Sequence, residues 1–166
     1  MKKLLNVLVV LGLVAGSAQA LDNKGMSSMQ IGVNNVDITG AHTGVYLGYD
    51  FMTHTSKGYP FSFGLGFDMG SFSFADGNIN YNLGAMVKVG FNAYDYIHYP
   101  LKVKVGVGYG DTYLNPLNYG GMQYAASIAL PIYKSLELGA QYKRTSLNVD
   151  NLSSYEQTSV YIDFSF

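Results

Sequence analysis

Leu101-Lys102-Val103-Lys104-Val105-Gly106-Val107-Gly108-Tyr109 decides how this chain is read. Every second side chain is apolar, and Lys or Gly stands between. Successive strand side chains point to opposite faces, so the stretch is a strand with one greasy face and one polar or very small face. The two-step rhythm returns along the chain, ending in Val160-Tyr161-Ile162-Asp163-Phe164-Ser165-Phe166.

Seven further segments share it. They are Ser28–Asn35, His42–Phe51, Phe61–Met69, Ile79–Phe91, Gly121–Leu130, Leu136–Arg144 and Glu156–Phe166. Most reach the roughly 9–11 residues that a tilted strand needs to cross a bilayer. Breakers lie between them at Thr39-Gly40, Asp76-Gly77-Asn78, Asn115-Pro116 and Asp150-Asn151. Tyr59-Pro60, Tyr99-Pro100 and Leu130-Pro131 mark strand boundaries, because proline cannot donate to a ladder. After Gly70 the run Ser71-Phe72-Ser73-Phe74 changes parity, which predicts a bulge there.

The start of the chain sets the compartment. Lys2 and Lys3 precede a mostly apolar run, Leu4 to Val14, and Ala18-Gln19-Ala20 follows. A basic start, a short apolar run and a small-x-small site form a secretory signal peptide, with cleavage predicted after Ala20. The competing reading is an N-terminal membrane anchor, for which the run is short, since a spanning helix needs about 20 apolar residues. The expected division is residues 1–20 as signal peptide and 21–166 as one domain.

The chain has no cysteine, so it has neither disulfides nor thiolate metal sites. Without Lys2 and Lys3, eight Lys/Arg stand against eleven Asp/Glu, a net charge of about −3 that gives no basic footprint for nucleic acid.

These features predict an all-β fold: an eight-stranded, antiparallel, up-and-down transmembrane barrel in the bacterial outer membrane. Eight strands enclose an interior that side chains just fill. Large Phe, Tyr, Leu, Val and Met belong outside against lipid, while Gly, Ala, Ser and single charges belong inside. A soluble barrel with an apolar cavity is the competing reading. With both termini periplasmic, external loops fall at about 36–41, 70–78, 111–119 and 147–155, and periplasmic turns at about 52–60, 92–100 and 131–135.

The lumen face carries the candidate site. Asp50, Lys88, Lys102, Lys104, Glu137 and Asp163 fall in the periplasmic half of their strands, and Asp68 and Lys143 sit nearer the outside. Desolvated charges must pair or cost several kcal/mol each. The expectation is a paired plug, with a gated ion path as the alternative.

Gly139-Ala140-Gln141-Tyr142-Lys143-Arg144-Thr145-Ser146, the closing Tyr161-Ile162-Asp163-Phe164-Ser165-Phe166 and the signal peptide together resemble the group of small eight-stranded outer-membrane proteins that includes the OmpA transmembrane domain, OmpX and the opacity proteins. The resemblance implies that Ile162, Phe164 and Phe166 form a signal for the outer-membrane assembly machinery. It also implies outer-membrane lipid and lipopolysaccharide as surroundings.

Two enzyme families share the architecture, the lipid A deacylases and palmitoyltransferases. The deacylase His-x-Ser-Asn element has no counterpart in Lys143-Arg144-Thr145-Ser146-Leu147-Asn148. His42, His54 and His98 have no positioned nucleophile beside them in the sequence, and a metal pair of His54 and His98 would need tertiary coincidence.

Gly64-x-Gly66 and Gly106-x-Gly108-x-Gly110 lie inside strands, not before helices, so they are no phosphate loops. Asp76-Gly77-Asn78 reads as a tight turn, not a calcium loop. The functional expectation is a non-enzymatic protein without cofactor, in a structural or surface-contact role, with a narrow porin-like channel or small-solute transporter as the alternative.

Overall fold

Alternation at this density leaves the chain one way to satisfy its backbone, which is to close the sheet on itself. A computed structural model describes residues 26–55, 58–93, 101–133, 135–147 and 154–166. The signal-peptide residues, His98, Tyr99-Pro100 and Asp150-Asn151 lie outside them. The described residues form β1 (Ser28–Val36), β2 (Gly44–Met52), β3 (Phe61–Ser73), β4 (Ile79–Asn92), β5 (Lys102–Leu114), β6 (Leu117–Tyr133), β7 (Leu136–Leu147) and β8 (Ser154–Ser165). Each pairs with the next, and β1 pairs antiparallel with β8, giving a closed barrel in sequence order.

The apolar faces point outward. Val105, Leu83 and Phe67 are about half exposed, at 50%, 45% and 50%. The opposite faces are buried in the lumen: Lys88, Lys102, Lys104, Asp50, Glu137 and Asp163 are each 4% exposed or less. The soluble-barrel reading, which needs the reverse arrangement, is excluded.

Three expectations are corrected. The β3–β4 ladder runs without interruption from Phe61↔Phe91 through Gly70↔Asn82 to Ser73↔Ile79, so β3 keeps its parity past Gly70; the irregularity lies on its other edge, where residues 43–45 face 71–72 between Tyr46↔Gly70 and His42↔Ser73. Phe72 keeps its parity and points inward, where it packs with Val36, Leu147 and Tyr155. The apparent change of rhythm marks an apolar stopper in the lumen.

The second correction concerns Pro131, which lies inside β6. A further irregularity falls there, as a register shift against β7 between Pro131 and Tyr133. A residue without N–H cannot hold a regular rung, and the ladder adjusts around it.

The third concerns the loops. The segment predicted as loop 111–119 is mostly strand, with only Asn115 and Pro116 between β5 and β6. Side chains fix this tight hairpin: the Asn115 N–H donates to Asn80 Oδ1 at 2.9 Å, and the Tyr113 hydroxyl donates to Asn115 Oδ1 at 3.1 Å. The β3–β4 turn carries Gly77 at φ +77°, a conformation that glycine adopts without steric cost. Beside it the Asn78 N–H donates to Asp76 Oδ1 at 3.0 Å and holds that carboxyl below its ordinary pKa.

Candidate functional site: a charged lumen between two apolar plugs

Three lysines enter the periplasmic half of the lumen from adjacent β4 and β5. Lys88 lies 2.6 Å from Asp50 Oδ1, and Lys104 lies 2.8 Å from Asp50 Oδ2. Asp50 thus receives one ammonium on each oxygen. Lys104 also stands 4.0 Å from Asp163, and Lys102 pairs with Glu137. The structure therefore pairs all six residues singled out on the lumen face, in two groups, Lys88–Asp50–Lys104–Asp163 and Lys102–Glu137.

Neutral side chains extend each group. The Gln30 amide donates to Asp50 at 3.0 Å and to Asp163 at 3.4 Å, and the Tyr46 hydroxyl donates to Gln30 Oε1 at 2.9 Å. Ser165 donates to Glu137 at 2.7 Å.

A second group lies nearer the extracellular end. Lys143 on β7 donates to Asp68 Oδ1 on β3 at 2.6 Å and also to Asn82 Oδ1. Gln141 donates to Asp68 at 3.2 Å, and Asn82 donates to Thr112 at 2.9 Å. Thr112 and Tyr155 share a hydrogen bond of 2.9 Å, which links the polar centre to the apolar stopper above it. At the other end Met26, Met52 and Ala93 are buried. The Met26 and Met52 methyls both reach the space a Cβ on Gly90 would occupy. The charged centre is thus flanked by apolar groups at both ends.

Tyr46 and Tyr161 stand inside the lumen with ring centroids 5.4 Å apart. Alternation puts both on the inward face, although large aromatics in general suit lipid better than so narrow a lumen. Glycine across the ladder is what admits them. Tyr161 pairs with Gly139, and a Cβ on Gly139 would meet the Tyr161 ring at 2.2 Å. Tyr46 pairs with Gly32 and Gly70 across its two ladders, and on its own strand a Cβ on Gly48 would come 2.7 Å from the Tyr46 hydroxyl. The signal was present in the sequence as inward aromatics paired with inward glycines.

Ile162 and Phe164 face outward near the periplasmic end. The Phe166 N–H donates to the Ser27 carbonyl at 2.9 Å, and its ring lies 6.1 Å from that of Tyr49. Of the histidines, His42 forms an isolated bridge with Ser73 at the extracellular edge, and His54 is exposed in the segment after β2. Thr145 is buried in the lumen, whereas Arg144 and Ser146 face outward on β7. No group of three or more metal-ligating side chains occurs among the described residues.

Fold and surface together define a small bacterial outer-membrane β-barrel, and solved structures agree. The Neisserial surface protein A superposes with a TM-score of 0.55 at 12% identity, over 84% of this chain and 97% of that one. The Yersinia pestis outer-membrane protein Ail in a phospholipid nanodisc gives 0.58 at 13% identity, over 86% and 99%. The outer-membrane enzyme PagL gives 0.58 at 11% identity, over 84% and 99%. No protein-family profile matches the sequence. No curated protein sequence matches it either. At these identities the likeness is one of fold.

Proposed function

We propose that this chain is a non-enzymatic outer-membrane protein whose lumen is closed and whose role is structural or one of surface contact. One observation carries the reading: a buried ion-pair network fills the barrel between two apolar plugs. An eight-stranded barrel has little interior to spare beyond its side chains.

An enzymatic role finds little support. PagL shares the fold, but an acyl-transfer site needs a nucleophile within reach of a base. His42 bridges Ser73 on β3 through the backbone, with no hydrogen bond between their side chains among the described residues; Ser146 faces outward on β7 across the barrel, and His54 lies at the periplasmic end. Surface contact would fall to the hairpins at the extracellular end.

A narrow channel remains the second reading, and Gln157 is the observation in its favour. Its side-chain amide is buried on the lumen face with no partner for either polar atom among the described residues, so water is the natural partner there. Planar-bilayer recording on refolded protein separates the two. The plug gives no steady conductance, and a steady ion-selective current from the unmodified protein overturns it.

A further inference from the structure

The outer wall is not uniformly convex. An apolar groove of about 550 Å³ runs over it across β1 to β5, between Leu47, Met69 and Leu83 on one side and Phe67 and Tyr109 on the other. Its floor is Ala85, whose cross-strand neighbours are Phe67 and Tyr109. The volume is that of a small-molecule site.

The groove is held open by a glycine. The Tyr109 hydroxyl lies over Gly120, where an added Cβ would come within 2.1 Å of it. The ring therefore leans towards β6 and leaves the space above Ala85 clear.

Asp111 closes the extracellular end of this groove. It faces outward and is exposed on the lipid side of the barrel, opposite Leu83 and Gly120. The stacked pair Tyr81–Tyr113, with centroids 5.1 Å apart, stands one outward step beyond it. Asp111 thus lies on the hydrocarbon side of an aromatic girdle, and it makes no ion pair among the described residues. A carboxylate at that depth is costly unless something neutralises it. This wall faces the bilayer, and a cationic lipid headgroup would supply such a partner from that side.

We propose that the groove is a lipid site: an acyl chain lies over Ala85 while the lipid's primary ammonium headgroup pairs with Asp111. The reading rests on the barrel's place in the membrane alone and holds for a closed or an open lumen.

The chain contains no tryptophan, so a single introduced one reports on its own surroundings. Leu47→Trp places it at the groove rim, and Tyr142→Trp places it on the opposite wall. Quenching is measured in bilayers of phosphatidylcholine containing bromine-labelled phosphatidylethanolamine or bromine-labelled phosphatidylcholine. The ethanolamine lipid should be preferred about three- to fivefold at the rim, a difference of about 0.6–1 kcal/mol. The opposite wall should show no preference.

Asp111→Asn should abolish the preference while the protein stays folded by circular dichroism. Ala85→Phe, an apolar exchange on the lipid face, should weaken both lipids at the rim, and Ala85→Leu serves the same purpose should the larger ring hinder folding. Equal quenching by the two lipids at the rim, or a preference that survives Asp111→Asn, overturns the proposal.

Discussion

Lys143 and Asp68 clasp each other at 2.6 Å from opposite walls of the barrel, β7 and β3, with both side chains fully buried. The pair spans the lumen at its full width. Lys143 also serves Asn82 on β4, and Asp68 also accepts from Gln141, so the tie gathers three strands. Lys143→Met leaves the Asp68 carboxylate without its cation and should cost about 3–5 kcal/mol. Lys143→Met combined with Asp68→Leu should recover a large part of that loss, because no charge is then stranded. Urea unfolding in lipid vesicles measures both.

Phe72→Ala removes the inward ring from the extracellular stopper. Truncating a buried Phe typically costs about 3–5 kcal/mol, and the loss should be larger than for Phe74→Ala at the partly buried edge of the same cluster. In planar bilayers Phe72→Ala should show brief openings that the unmodified protein lacks. A silent but destabilised variant would place the seal lower, in the ion-pair layer.

The two faces of β5 should respond in opposite ways. Val107 faces lipid at 46% exposure, and Val107→Arg should cost about 2–4 kcal/mol near the midplane, whereas Val107→Leu should be close to neutral. Gly108, its inward neighbour, has no room for even a methyl, since a Cβ would come 2.0 Å from the Ala85 carbonyl oxygen. Gly108→Ala should therefore cost about 1–3 kcal/mol through backbone displacement. Equilibrium unfolding of the three variants checks the order.

Replacing Phe166 by Ser should slow insertion in cells and leave refolding in detergent nearly unchanged. The Phe166 backbone N–H already holds Ser27, and that bond does not need the ring. Equal loss in both assays would mean the ring acts by packing on Tyr49.

Much of this architecture could be read directly from alternation. In β5 every Val faces lipid and both Lys face the lumen, as the period of two demands. The six lumen charges could be placed on the correct face for the same reason. What the pattern could not supply was pairing across the lumen, because that depends on barrel closure. Asp50 taking both Lys88 and Lys104, with Gln30 tying in Asp163, is such a case.

Gly70 misled for a related reason. Phe72 is apolar and inward, and alternation has no way to mark an apolar residue that closes a polar interior. The β5–β6 loop was overestimated because Tyr113, Leu114 and Leu117 belong to strands that run on to a Pro turn.

The ionic centre also bears on how the protein meets heat. Charged groups are hydrated less favourably as temperature rises, so keeping them from water becomes cheaper just where apolar burial stops gaining strength. A barrel stitched by Lys88, Lys102, Lys104 and Lys143 to carboxylates on other strands is built from contacts whose net cost falls on warming. Its interior should be the last part to loosen in a hot membrane, after the hairpin ends have frayed.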